Sequence, residues 1–79
     1  MKVTLYTRSG CHLCDEIKQV IASVGERIRF EYEEFDIDSD PQLRLLYNEE
    51  VPVVVIDGRK AFKFRVTAAE LQKKLAARS

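Results

Sequence analysis

Cys11 and Cys14, separated by His12 and Leu13, are the two cysteines of the chain. Two thiols at this spacing in the first turn of a helix can close a disulfide or hold part of a metal site. A free cysteine ionises near pH ~8.5, so only a few per cent is thiolate at neutral pH. At a helix start, unpaired backbone N–H groups and the positive end of the dipole stabilise an anion. Bringing the pKa of Cys11 to about 7 or below takes a differential interaction of ~2 kcal/mol. Cys14, one turn in, is expected to be more buried and harder to ionise. That asymmetry predicts roles: Cys11 attacks a disulfide, and Cys14 resolves the mixed disulfide by attacking Cys11.

Neighbouring residues could adjust this pair. A protonated His12 would favour the Cys11 thiolate and make the disulfide a better oxidant. Arg8, three residues before Cys11, would add positive potential or hold a carboxylate of a peptide-like thiol substrate. Two other readings stay open. A zinc site needs four ligands, and the chain offers Cys11, Cys14 and a His12 wedged between them. A dimer would therefore have to supply four thiolates, or bridge an iron–sulfur cluster. An inert pair on a non-catalytic adaptor is the third reading.

Composition narrows the setting. With 79 residues and 46% hydrophobic content, a single domain over residues 1–79 with one core is expected. Thirteen basic and thirteen acidic residues cancel, which gives no electrostatic case for nucleic acid or an anionic membrane as partner. The apolar N-terminal stretch is short for a signal-peptide core, and no run approaches the ~18 apolar residues of a membrane span. A cytoplasmic location is the expectation, where structural disulfides are rare and a cysteine pair points to redox chemistry or metal binding.

The elements that must position the cysteines follow from periodicity. Val3 to Tyr6 reads as a strand, ended by Ser9-Gly10. Leu13, Ile17, Val20, Ile21, Val24 and Ile28 fall at helical spacing, with Gly25 as the stop. Ile28, Phe30 and Tyr32 alternate as in a strand, and the register slips before Phe35 and Ile37. Ser39 to Gln42 predicts a capped helix start with Pro41 near its first position and Leu43, Leu46 and Tyr47 facing inward. Val53–Ile56 reads as a strand covered on both faces, Asp57-Gly58 as a hairpin turn, and Ala61, Phe62, Phe64 and Val66 as the return strand. Thr67 and Glu70 form a second capping box, opening a last helix on Leu71 and Leu75 with Lys73, Lys74 and Arg78 near its end. The order β-α-β-α-β-β-α predicts an α/β fold: a four-stranded mixed sheet with helices on both faces.

The segment from Tyr6 through Cys14 resembles the strand, loop and active-site cysteines of glutaredoxins, and Val51-Pro52 resembles their Val-Pro step. The run from Cys11 to Glu16, with Phe35–Pro41 and Val51–Val53, is similar to a small bacterial glutaredoxin-like family over Val3 to Leu75. The resemblance implies a thioredoxin-like fold of glutaredoxin type. It also implies a thiol–disulfide oxidoreductase that reduces protein or small-molecule disulfides through a Cys11/Cys14 cycle. The Val51–Pro52 peptide would be cis and face the thiols, with the Val51 backbone meeting the substrate cysteine. No bound cofactor and a monomeric state are implied, with glutathione or a thioredoxin-reductase-type donor supplying electrons. Two positions depart from the pattern. Glutaredoxins usually carry Pro-Tyr between the cysteines, where this chain has His12-Leu13. Before their last helix they carry Gly-Gly and an Asp, where this chain has Phe64-Arg65-Val66-Thr67. Backbone access through two glycines is lost there, which leaves Arg65 to pair with a carboxylate.

Asp36, Asp38 and Asp40 alternate like the start of a calcium loop, but the required Gly and Glu positions hold Pro41 and Tyr47. Acids leading into a helix account for them better. Phe62 and Phe64 are expected in the core.

Overall fold

The computed structural model describes residues 1–78. Its elements are β1 (Lys2–Thr7), α1 (His12–Gly25), β2 (Glu31–Asp36), α2 (Pro41–Tyr47), β3 (Val53–Ile56), β4 (Arg59–Lys63) and α3 (Ala68–Arg78), with a single 3-10 turn at Ile37–Ser39. The order is the predicted one. The strands form one sheet in the order β2-β1-β3-β4. β1 and β2 run parallel, as a crossover through α1 requires, and the other two pairings are antiparallel.

Alternation along β1 and β3 sorts the two faces. Val3 and Leu5, with Val54 and Ile56, pack against Ile17, Ile21 and Val24 of α1 and Leu71 and Leu75 of α3. Burying each large aliphatic side chain of this layer contributes about 1.5–3 kcal/mol. On the opposite face Tyr6 stacks on Tyr47 of α2 at 4.5 Å and on Phe35 of β2 at 5.8 Å. All four residues of β3 are buried, as a central strand covered on both sides should be. The outer strand β2 leaves five of its six residues exposed.

Local chemistry sets the boundaries. Asp57 and Gly58 both have positive φ, 50° and 83°, the signature of a tight hairpin turn with matching twist. The β3–β4 register shifts between Val54 and Val55, which leaves Ala61 as the extra residue of a bulge. Thr67 and Glu70 close the predicted capping box: the Glu70 N–H donates to Thr67 Oγ1 at 3.1 Å, and the Thr67 N–H donates to Glu70 Oε1 at 3.0 Å.

Several expectations need correction. β2 begins at Glu31, so Ile28 and Phe30 lie in the preceding connection, where they pack half-buried on the core. The Ile28 N–H still bonds the Val24 carbonyl at 2.9 Å, which continues the helix end and explains why Ile28 fits the helical period. The slip before Ile37 marks the end of the strand. α2 is capped by Asp40, which accepts from the Gln42 N–H at 2.9 Å, while the Ser39 hydroxyl turns back to the Asp36 carbonyl. Leu46 is 63% exposed and does not face inward. β4 stops at Lys63, and Phe64 stands 40% exposed at φ 69° rather than in the core. The backbone of α3 reaches Arg78, whose side chain lies outside the described part.

Candidate active site

β1 delivers the chain through Arg8, Ser9 and Gly10, the last at φ 75°, to Cys11. Cys11 is the N-cap of α1: its backbone is extended (φ −93°, ψ 112°), and its sulfur accepts from the Cys14 N–H at 3.2 Å. A sulfur thus takes the place that a serine or aspartate oxygen usually fills at a helix start. The Cys11 carbonyl accepts from the Asp15 N–H, beginning the helical ladder. The two cysteines are joined as a disulfide, with Cα atoms 5.2 Å apart. Cys11 is partly exposed, and Cys14 is fully buried. Access and the N–H donor therefore both distinguish Cys11 from Cys14.

The remaining candidate residues fall into distinct situations. The imidazole of His12 is 88% exposed and leans along the helix toward Glu16, 3.7 Å away. Among the described residues no hydrogen bond joins it to either sulfur. Arg8 is committed within the chain. Its guanidinium forks onto both Asp38 carboxylate oxygens at 3.0 Å and reaches the Asn48 carbonyl at 3.1 Å and Asn48 Oδ1 at 2.7 Å. The carboxylate it holds is thus the chain's own, and this bond holds the Asp38 carboxyl below its ordinary range. Sequence reasoning gave Asn48 no part. Asp36 and Asp40 cap the 3-10 turn and α2, and Asp38 also meets Arg44 at 3.4 Å, so each member of the acidic triplet has a local partner.

The Val51–Pro52 peptide is cis. The β1–β3 register ends with Tyr6 opposite Val53, so the Val51–Pro52 step lies at the same end of the sheet as the loop carrying Cys11. Pro52 is buried, and its carbonyl accepts from the Phe64 N–H at 2.8 Å. The Arg65 N–H then turns back to the Lys63 carbonyl at 2.8 Å. The i→i+2 bond encloses Phe64 in a γ-turn of the rarer, positive-φ hand. Nothing in the strand-like pattern of Phe62, Phe64 and Val66 signals that turn.

Beside the cysteines, Leu13 and Val20 of α1 face Phe64, Arg65, Val66 and Thr67 across a groove of about 520 Å³. Arg65 is exposed there, and its side chain makes no hydrogen bond or ion pair among the described residues. The groove combines apolar side chains with the charged groups of Arg65, Glu16 and Glu70, a mixed lining suited to an extended peptide-like ligand. At the opposite end of the reactive loop, Thr7 is buried, and its hydroxyl has no hydrogen-bond partner among the described residues. No signal in the sequence singles out Thr7.

Among the described residues no three His, Cys, Asp or Glu side chains gather as metal ligands. Metal coordination by the pair would have to draw on a second chain. No helix among the described residues is long and apolar enough to cross a membrane.

Comparison with known proteins agrees with this geometry. A crystal structure of a structural-genomics target from X. campestris, XcR50, is similar with a TM-score of 0.81 and 32% identity, covering 95% of this chain and 96% of that one. A glutaredoxin-like protein of Dictyostelium discoideum is 32% identical over 77 residues, which is 90% of this chain and 71% of that protein. Thioredoxin 1 of Thermosipho africanus shares the fold at a TM-score of 0.74, with 17% identity over 99% of this chain and 93% of its own. The architecture is therefore the thioredoxin-like fold. The family model described as a glutaredoxin-like domain (DUF836) matches residues 2–76, and with the Cys11–Cys14 pair seated at the start of α1, the chain belongs to that glutaredoxin-like family.

Proposed function

We propose that the protein is a thiol–disulfide oxidoreductase that reduces protein or small-molecule disulfides through Cys11 and Cys14. The observation that carries this reading is the difference between the two sulfurs. Cys11 is accessible and capped by an N–H, while Cys14 is buried within bonding reach. In the dithiol form the Cys11 thiolate attacks a substrate disulfide. One substrate sulfur leaves as a thiolate and takes up a proton, and the other stays bound to Cys11. Cys14 then loses its proton and attacks Cys11, releasing the second substrate thiol and forming the Cys11–Cys14 disulfide. Two thiols of a donor, such as two glutathione molecules, return the pair to the dithiol and leave as a disulfide.

The substrate would lie along the end of β3, where the Val51 backbone N–H and C=O make no hydrogen bond among the described residues and can receive an added extended segment. Arg65 would take a substrate carboxylate. Arg8, already bound to Asp38, would shape the loop instead of binding substrate. The protein would work as a cytoplasmic monomer without a bound cofactor, drawing electrons from glutathione or a thioredoxin-reductase system.

The test is turnover of a small disulfide with each donor. Cys11→Ser should abolish reduction, and Cys14→Ser should accumulate a mixed disulfide at Cys11 detectable by mass. Wild-type turnover by Cys11→Ser would end the proposal.

A further inference from the structure

We infer that Asn48 is a positioning residue for substrate: Arg8 grips both its carbonyl and its side-chain oxygen, which sets the segment carrying Val51 and selects disulfides whose cysteine lies in an extended peptide. The inference rests on the redox reading above and adds to it a substrate class and the residue that imposes it.

Register brings two segments together. Tyr6 opposite Val53 is the last pair of β1 and β3. Two residues further out, Arg8 leaves β1 toward Cys11, and Val51 leads from the end of α2 into β3. One side chain spans them. The Arg8 guanidinium places four of its five N–H donors: two on the Asp38 carboxylate, one on the Asn48 carbonyl at 3.1 Å and one on Asn48 Oδ1 at 2.7 Å. The fork on Asp38 fixes the plane of the guanidinium. The remaining bonds then hold Asn48 at two points. Arg8 precedes Cys11 by three positions, and Asn48 precedes Val51 by three, so this contact is a short brace between the nucleophile's loop and the segment of Val51.

That segment is held at every second residue. Asn48, which ends α2, is held by Arg8. The Glu50 N–H donates to the Tyr47 carbonyl at 3.0 Å, and the Glu50 carboxylate accepts from Lys60 and Lys63 of β4 at 3.3 Å. The Pro52 carbonyl accepts from the Phe64 N–H. Val51 lies between two held residues, with its own N–H and C=O unbonded among the described residues. A substrate backbone can pair with Val51 only if Val51 stands at a fixed offset from the sulfur that the substrate cysteine must reach. Glu50 and Pro52 tie the segment toward β4, whereas Asn48 ties it to the loop of Cys11. A disulfide without a peptide backbone makes no use of Val51 and is indifferent to that offset.

The experiment measures turnover of two disulfides by wild type, Asn48→Ala, Asn48→Asp, Arg8→Met and the double variant Arg8→Met with Asn48→Ala. One disulfide joins two short peptides through a central cysteine, and the other is hydroxyethyl disulfide. Asn48→Ala should raise KM for the peptide disulfide about 10-fold with kcat unchanged, the pattern of lost binding. The ratio of kcat/KM for peptide over hydroxyethyl disulfide should fall by the same factor. Asn48→Asp keeps an oxygen for Arg8 and should hold the ratio near wild type. Arg8→Met should lower the ratio at least as far as Asn48→Ala, and the double variant no further than Arg8→Met. Equal losses on both disulfides, or Asn48→Asp behaving as Asn48→Ala, overturn the inference. If wild type turns over neither disulfide, the oxidoreductase reading fails on its own. Asn48 is then decided in Cys14→Ser, where the Cys11 thiol displaces pyridinethione from a pyridyl-disulfide peptide and keeps the peptide. Amide exchange at Val51 should slow about 10-fold on loading, and the slowing should vanish when Asn48→Ala is added. Exchange that does not slow, or slows equally in both, overturns the inference.

Discussion

The Cys14 backbone N–H points at the Cys11 sulfur from 3.2 Å, so one cysteine caps the helix in which the other is buried. Capping by sulfur is more favourable when the sulfur is charged, because the donor belongs to the unpaired first turn of the helix. In Cys14→Ser, alkylation of Cys11 should therefore reach its half-maximal rate near pH 7 or below, against about 8.5 for an ordinary thiol. In Cys11→Ser, Cys14 should react slowly in the native protein and at an ordinary rate once denatured, because it is buried. A Cys11 profile centred on 8.5 would remove the electrostatic basis of the role assignment.

Arg8 ties the end of β1 to the 3-10 turn through Asp38 and to the end of α2 through Asn48. The Asp38 carboxyl is held below its usual 3.8, first by the hydrogen bond from Arg8 and then by the nearby charges of Arg8 and Arg44, against some desolvation. A carboxylate whose folded value is depressed contributes stability above its unfolded pKa and loses it as pH falls through the folded one. Asp38→Asn should thus be mildly destabilising at pH 7, as expected for an exposed pair. Its difference from wild type should shrink between about pH 4 and 2 in acid unfolding curves. A constant difference down to pH 2 would mean that the charge of Asp38 contributes nothing.

Much of this architecture was legible because the deciding signals were local. Strand alternation at Val3 and Leu5, helical spacing through Ile17, Ile21 and Val24, the Asp57-Gly58 turn and the Thr67/Glu70 box each depend on residues a few positions apart. The errors arose where distant contacts decide. Phe64 fits the alternation of a strand, yet its N–H is taken by the Pro52 carbonyl twelve positions upstream, and the chain turns there. Arg8 reads as a free cation beside Cys11 because Asp38 and Asn48 are remote in sequence. Ser39 and Asp40 are both good caps, and the Ser39 hydroxyl's bond to the Asp36 carbonyl leaves the position to Asp40.

Thr67 and Glu70 fix where α3 begins, and Thr67 also lines the groove beside the cysteines. Losing a threonine N-cap costs about 1 kcal/mol, which for a domain of this size corresponds to a melting point about 4–8 °C lower. Thr67→Ala should show that drop by thermal unfolding, whereas Thr67→Ser should keep most of the stability. The Glu70 carboxylate is held below its ordinary range by the Thr67 N–H and hydroxyl, so Glu70→Gln should cost less, since an amide oxygen still accepts. Equal losses in Thr67→Ala and Thr67→Ser would assign the effect to packing instead of the cap.

Phe64 combines a backbone that glycine prefers with a side chain that overhangs the groove. At φ 69° a residue with a Cβ costs roughly 1–2 kcal/mol relative to glycine. Phe64 is 40% exposed, and its ring lies 5.6 Å from the Lys63 ammonium, a modest compensation for that conformation. Phe64→Gly should therefore leave stability near wild type, because relief of the turn offsets the lost ring contacts. It should also open the backbone of residues 64–65 to a close-lying ligand, which is the access that glutaredoxins gain from two glycines. Turnover with glutathione as donor should rise relative to turnover with a thioredoxin-reductase system, read as the ratio of the two kcat/KM values. A ratio unchanged from wild type, in a variant shown by unfolding to be intact, would mean that Phe64 does not select the electron donor.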